Sequence, residues 1–176
     1  EQLIFREMLK NIKDKKIKKV MLAKKIEDMI NTVIRQVAFL EFEKKVHEER
    51  KNGEISVDKL CNFWMEVQEE SLGKDVFDFD QEYKYFWTYI PHFIHSPFYV
   101  YAYAFGDCLV NSLYSVYLNK EVKDFEKKYI NMLKAGGTLH HKELLKPFGL
   151  DASKPDFWQK GLNVIIEFIN ELEKQL

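Results

Sequence analysis

Residues 90–106 hold the densest group of side chains that could do chemistry: two histidines between two prolines, then three tyrosines at alternate positions. Imidazole and phenol groups can donate hydrogen bonds to negative charge that develops on a substrate oxygen. Prolines fix a backbone angle and remove an amide donor, so we predict a stiff, non-helical segment ahead of the tyrosines. The histidines are His92 and His95, the prolines Pro91 and Pro97, and the tyrosines Tyr99, Tyr101 and Tyr103.

The tyrosine run fits two geometries. In a strand all three rings would share one face, whereas in a helix Tyr99 and Tyr103 are one turn apart and Tyr101 points elsewhere. The surrounding pattern favours a helix over 98–118, so we expect Tyr99 and Tyr103 to reach one site together. The alternative is three core tyrosines that are bonded to nearby carbonyl groups.

We expect different roles for the two histidines. His92 directly follows Pro91, and it can present an N–H group to a carbonyl oxygen or an oxyanion, or else cap a backbone group. His95 is a candidate for substrate binding, and a structural or solvent-facing place is its alternative.

No metal site is predicted within these 176 residues. His47 and Glu48 resemble the start of a zinc-binding helix, but position 51, where the second histidine should stand, holds a lysine. Glu41, Glu43 and His47 lack the Glu-x-x-His spacing of a di-iron bundle. No Gly-x-Ser-x-Gly nucleophile motif occurs.

Helices must position these residues. The chain is 46% hydrophobic and 31% charged, a composition that favours a folded chain over disorder, and 7 glycines and 4 prolines allow few turns. Apolar steps of three and four predict one long amphipathic helix over 17–50 and further helices on both sides of the tyrosine run. Only the tyrosine run alternates with period two. We therefore predict an all-α fold, with 1–176 as a single helical unit.

Net charge and cysteine content limit the classes of partner and the cellular compartment that we expect. A formal net charge of −1 gives no reason to expect nucleic acid. Cys61 and Cys108 are the only thiols, so a reducing compartment, the cytoplasm, is the expected location. No signal peptide opens the sequence; because Glu1 is not a start methionine, we interpret the chain as an excised piece.

The apolar stretch 98–118 could be mistaken for a membrane span. Its only charged residue is Asp107. Polar residues recur there at steps of three and four, which favours a buried core helix over a helix that faces lipid, and no membrane partner is expected. The stripe consists of Asp107, Asn111, Ser112 and Ser115.

Four sequence blocks, in this order and spacing, resemble oligoendopeptidase F, a bacterial member of the thimet oligopeptidase family of zinc metallopeptidases. The blocks are TVIRQVAFLEFE at 32–43, IPHF at 90–93, YVYAYAFG at 99–106 and LKAGG at 133–137. Family members carry an HExxH helix and a downstream glutamate as third zinc ligand. Residues 1–5 resemble the segment shortly after that glutamate. The resemblance thus implies the C-terminal helical portion of a zincin-type catalytic domain, without the zinc or the general base.

The resemblance also implies roles for this portion, which should form one wall of the substrate cleft. His92, Tyr99 and Tyr103 would be catalytic, donating hydrogen bonds to the oxyanion that forms when zinc-bound water attacks the peptide carbonyl. Tyr101 stays a candidate for the same contact or for substrate binding, because the spacing between the histidine and the tyrosines varies in the family.

Two functions follow from different classes of protein. The first is part of a zinc endopeptidase that hydrolyses short peptides, in which the zinc belongs to the intact enzyme and this piece alone neither binds it nor hydrolyses peptides. The second is a free-standing helical module that binds a protein or peptide without catalysis. In the first case the cleft face should be exposed, or covered by a second copy in a non-physiological dimer.

Overall fold

The computed structural model describes residues 1–175, and within that range it is helical and has no strand. The predicted all-α fold is confirmed. The α-helices are α1 Gln2–Asn11, α2 Lys15–Arg50, α3 Val57–Leu72, α4 His92–His95, α5 Tyr101–Leu118, α6 Phe125–Ala135, α7 His141–Leu145 and α8 Pro155–Glu173. Two stretches of 3₁₀ helix, Gln81–Tyr89 and Lys146–Phe148, complete the described elements. None of the helices in residues 1–175 combines the length and the apolar character needed to cross a membrane.

Internal contacts divide the chain into two compact units. The first consists of Glu1–Asp28 and the chain from Gly106 onwards, and the second is Met29–Phe105. The boundaries fall inside α2 and α5. The single helical unit predicted over 1–176 stays a prediction, and the last residue of that range lies outside the described part.

The second unit has an aromatic core around Trp64, whose side chain is fully buried. Phe42 lies edge-on to the Trp64 ring, with ring centroids 5.5 Å apart, and Phe93 lies 5.0 Å from Phe42. The indole N–H of Trp64 donates to the carbonyl oxygen of Tyr83 at 3.0 Å. Because Phe93 lies on α4, its packing against this core fixes the helical turn that carries both candidate histidines.

In the first unit, α8 packs against α5 at very short range. Gly161 faces the backbone of Cys108, and a Cβ atom placed on this glycine would lie 2.8 Å from the Cys108 carbonyl oxygen. One turn away, Ser112 Oγ donates to the carbonyl oxygen of Phe157 at 2.8 Å. The absence of a side chain at position 161 is therefore what allows these two helices to approach so closely.

A buried amide chain links α1 to α5 in the same unit. Gln2 Nε2 donates to Asn111 Oδ1 at 2.8 Å, and Asn111 Nδ2 donates to Asp107 Oδ2 at 2.8 Å. Gln2 and Asn111 are both buried. Two residues of the polar stripe thus bond other side chains of this unit, as expected for a core helix.

The segment ahead of the tyrosines differs from its prediction in two ways. It is not free of helix: Pro91 precedes the single turn α4, because its fixed φ of −65° suits a helix start that needs no N–H donor. In addition, α5 begins at Tyr101 instead of residue 98. Phe98 has φ +60°, which a right-handed helix does not accept, so the helix cannot include it.

Candidate functional site

His92 and Tyr103 form a hydrogen-bonded pair at the surface. The distance between His92 Nε2 and Tyr103 Oη is 3.0 Å, and the rings meet edge to face. Which group donates depends on the imidazole tautomer. With the proton on Nε2, His92 donates to the phenol oxygen and leaves the phenol proton of Tyr103 free for another acceptor.

Tyr99 completes a cluster with this pair, which we call the His–Tyr cluster (His92, Tyr99 and Tyr103). The rings of Tyr99 and Tyr103 have centroids 5.7 Å apart and an interplanar angle of 85°. The structure therefore brings together the three residues predicted to be catalytic. Tyr99 reaches Tyr103 from the turn before α5 and not from within the helix.

Tyr101 and His95 stand apart from the His–Tyr cluster. Tyr101 is the first residue of α5, and His95 is the last residue of α4 and is exposed. Within residues 1–175, neither side chain has a hydrogen bond or ring contact with the cluster. Their predicted part in substrate binding is untested.

The tyrosine side chains face outward. Tyr99 is 54% exposed, Tyr101 52% and Tyr103 40%, which confirms the predicted exposure of this face. The alternative of three core tyrosines is wrong, and in the described chain no main-chain carbonyl accepts from any of the three hydroxyl groups. Exposed phenols beside an imidazole can donate to a polar group on a bound molecule.

Glu43 of α2 is only 2% exposed. Its Oε1 accepts the backbone N–H of Phe98 at 2.7 Å, while its Oε2 has no hydrogen-bond partner in residues 1–175. Burial raises the pKa of this carboxyl group above its ordinary value, and the Phe98 N–H, His47 and His92 partly oppose the rise. The carboxyl group thus supports the backbone just before Tyr99.

Phe98 is held at both its backbone and its ring. Its φ of +60° costs a non-glycine residue on the order of 1 kcal/mol, which the hydrogen bond to Glu43 can offset. Its ring lies 4.5 Å from the His47 imidazole, measured between centroids. Glu43 and His47 are one turn apart on α2, so one face of this helix contacts both the backbone and the ring of Phe98.

Sequence reasoning considered Glu43 only as a metal ligand and missed this role. The available signal was its place in the apolar stripe of α2. Phe39 stands four residues before it and Val46 three residues after it, so the carboxyl group had to lie on the buried face. A carboxyl group in that position needs a partner, and the partner is a backbone amide.

Replacing Glu43 by glutamine should change how stability depends on pH. Because burial raises the folded-state pKa of Glu43, the folded chain binds this proton more tightly than the unfolded chain. The contribution of Glu43 to stability is therefore largest at low pH and is lost as pH rises from about 4.5 through the raised pKa.

Glu43→Gln removes this loss, so its free energy of unfolding relative to the wild type should increase with pH. Urea unfolding at a series of pH values between 4 and 8 measures the difference. Burial also raises the pKa of Asp107, but that effect is present in both proteins and cancels. A difference that stays constant or shrinks across the series would contradict the expectation.

Metal ligation is not supported by the residues present. No group of three or more His, Cys, Asp or Glu side chains in residues 1–175 is arranged to hold a metal ion. The described residues 1–175 therefore do not fit a zinc site. A groove of about 880 Å³ beside α2 includes His47 and Phe98, but none of the His–Tyr cluster, Tyr101 or His95 lines it.

Comparison with known proteins agrees with the fold and with the sequence blocks. The model of peptidase family M3 matches residues 1–164. Oligopeptidase PepF from Bacillus subtilis is 32% identical over 100% of this chain and 26% of its own length. The chain spans about a quarter to a third of the length of the relatives it matches.

Two crystal structures resemble the chain closely. The first, a putative peptidase from Chlamydophila abortus, has a TM-score of 0.89 at 31% identity, covering 99% of this chain and 29% of that one. The second, oligoendopeptidase-F from Enterococcus faecium, has a TM-score of 0.88 at 26% identity, covering 99% of this chain and 33% of that one. These matches define the chain as an all-helical part of a peptidase. The chain belongs to peptidase family M3, which confirms the resemblance noted in the sequence.

Proposed function

We propose that this chain forms one wall of the substrate cleft in a zinc-dependent oligoendopeptidase that hydrolyses short peptides. Membership of peptidase family M3 supports the reaction class. The observation that carries the proposal is the exposed hydrogen-bonded pair of His92 and Tyr103, with Tyr99 against it. The hydroxyl groups of Tyr99 and Tyr103, with His92 bonded to Tyr103, suit a substrate whose oxygen gains negative charge.

The pair has a defined order of donation in this proposal. His92 Nε2–H donates to Tyr103 Oη, and the phenol proton of Tyr103 then points to the carbonyl oxygen of the scissile peptide. As that oxygen becomes an oxyanion, the hydrogen bond strengthens, and a donor of this kind contributes roughly 3 kcal/mol to the transition state. Tyr99 contacts the same part of the substrate and limits the rotation of the Tyr103 ring through their edge-to-face contact.

Tyr101 and His95 have a different place in the proposal. Both are exposed and lie apart from the cluster, so they would contact peptide residues further from the scissile bond. In the whole enzyme, bound zinc would supply Lewis-acid chemistry that activates water and polarises the carbonyl. Its ligands are proposed to lie outside this chain, whose own part is to bind, orient and stabilise charge.

The full-length peptidase, meaning the protein that contains this chain within the length typical of its relatives, provides the test. We expect it to hydrolyse a short fluorogenic peptide, to lose activity with a chelator and to regain it with zinc. His92→Gln should lower kcat about 10-fold with KM changed less than threefold, since the donor to Tyr103 is displaced. The 176-residue chain alone should show no hydrolysis and no stoichiometric zinc.

Two results would reject the proposal. Peptide hydrolysis or tight zinc binding by the 176-residue chain alone would mean that the chemistry lies within it. A zinc-loaded full-length protein that hydrolyses no peptide would favour the second function, a helical module that only binds proteins or peptides.

A further inference from the structure

The proposed function gives no role to Glu43, although its carboxyl group is almost fully buried. One oxygen accepts a single backbone N–H, and the other has no hydrogen-bond partner in the described residues. A buried carboxyl group with so few bonds is costly compared with an apolar side chain of similar size. A glutamate at this position is therefore explained only if its one hydrogen bond has an effect that an apolar side chain could not have.

That hydrogen bond holds a backbone turn. Its donor is the N–H of Phe98, a residue with φ +60°, which non-glycine residues avoid. Tyr99 follows Phe98 directly, and α5 begins two residues later. The backbone angles at Phe98 therefore decide the direction in which the chain enters Tyr99 and α5.

The second hold on Phe98 comes from the same face of α2. The Phe98 ring lies against His47, one turn after Glu43. Ring packing alone restrains the side chain but allows the peptide plane before Phe98 to rotate. The carboxyl group restrains that plane, because it accepts the hydrogen bond from the N–H of Phe98.

We propose that Glu43 is a positioning residue that acts through Phe98: its side chain fixes the turn that places the Tyr99 ring against Tyr103. The inference rests on the proposed function, in which these two tyrosines contact the substrate. What the turn requires is an oxygen acceptor at the reach of a glutamate side chain. A negative charge is not required.

Two conservative variants separate reach from charge. Glu43→Gln loses the charge but keeps an oxygen at the same distance from the backbone. Glu43→Asp keeps the charge but is one methylene shorter, so its oxygen cannot reach the Phe98 N–H without a shift of the turn. A residue that acts by its charge would show the opposite order of effects.

Kinetics on the full-length peptidase give the first test. With a short fluorogenic peptide, Glu43→Asp should lower kcat at least 10-fold with KM within threefold, and Glu43→Gln should stay within threefold of the wild type. Glu41→Asp and Glu41→Gln are matched controls on the exposed face of α2, and both should keep kcat within twofold. A glutamine variant as slow as the aspartate variant, or an unaffected aspartate variant, would overturn the proposal.

NMR on the 176-residue chain gives the second test, which needs no activity. Amide exchange at Phe98 should be at least 10-fold faster in Glu43→Asp and within threefold of the wild type in Glu43→Gln, while exchange at Ile165 in α8 stays unchanged. The nuclear Overhauser effects between the Tyr99 and Tyr103 rings should weaken only in the aspartate variant.

The two tests fail in distinguishable ways. Equal acceleration at Phe98 and Ile165 would mean a general loss of stability and would overturn the positioning role. A wild-type full-length protein that hydrolyses no peptide would reject the proposed function, and the exchange and ring measurements would still decide whether Glu43 holds the turn.

Discussion

Tyr103→Phe in the full-length peptidase is expected to lower kcat about 100-fold while KM changes less than threefold. The substitution removes one hydroxyl group and keeps the ring, so the contact with Tyr99 is retained. In the proposed function the lost proton matters most when the substrate oxygen carries negative charge, which is the case in the transition state and not in the bound peptide. Steady-state kinetics on a short fluorogenic peptide measure both constants.

Tyr85→Phe is the matched control for this variant. Tyr85 is also an exposed tyrosine of the second unit, but it lies in the first 3₁₀ helix and outside the His–Tyr cluster. Its kcat should stay within twofold of the wild type. If Tyr103→Phe raises KM and leaves kcat unchanged, the phenol binds substrate uniformly and does not stabilise the oxyanion.

Gly161→Ala should destabilise the chain by about 2 kcal/mol. Alanine at a helical position normally gains close to 1 kcal/mol over glycine. Here, however, the new Cβ would lie 2.8 Å from the carbonyl oxygen and 2.9 Å from the Cα of Cys108. These are backbone atoms that cannot rotate away, so α8 and α5 must separate. Overpacking of this kind typically costs about 1–3 kcal/mol. Urea unfolding followed by circular dichroism measures the change.

Gly106→Ala provides the control with the opposite sign. Gly106 also lies in a helix, α5, but a Cβ built there meets nothing within 4 Å. Alanine at this position should therefore stabilise the chain by about 0.5–1 kcal/mol. Equal effects of the two substitutions would show that helix propensity, and not the approach of α8 to Cys108, governs position 161.

Helix periodicity predicted most of the architecture because the apolar stripes are long and the turns few. It placed α2 over 17–50 and paired Tyr99 with Tyr103 through helical spacing. The pairing is present, although Tyr99 lies outside α5. Phe98 explains the difference: a positive φ at a non-glycine residue has no sequence signature, and here it accompanies a hydrogen bond from the Phe98 N–H to Glu43, 55 positions away.

Which residues of the candidate site bond each other was less predictable than which residues belong to it. The residues of the His–Tyr cluster could be selected from residue types and from the family resemblance. That His92 would bond Tyr103 could not, because α4 was not expected and its orientation depends on Phe93 packing against Phe42. Long-range packing of this kind is decided by the aromatic core and not by local spacing.

The amide chain from Gln2 through Asn111 to Asp107 bears on the uniqueness of the native state. Apolar side chains at positions 2 and 111 could pack in several rotations and shifts of α1, whereas the hydrogen bonds from Gln2 to Asn111 and from Asn111 to Asp107 require α1 to keep its observed register. Burying each polar group has a desolvation cost, so these hydrogen bonds add little to the free energy of unfolding. Their consequence is that α1 adopts one register, because alternative registers would break the hydrogen bonds between Gln2, Asn111 and Asp107.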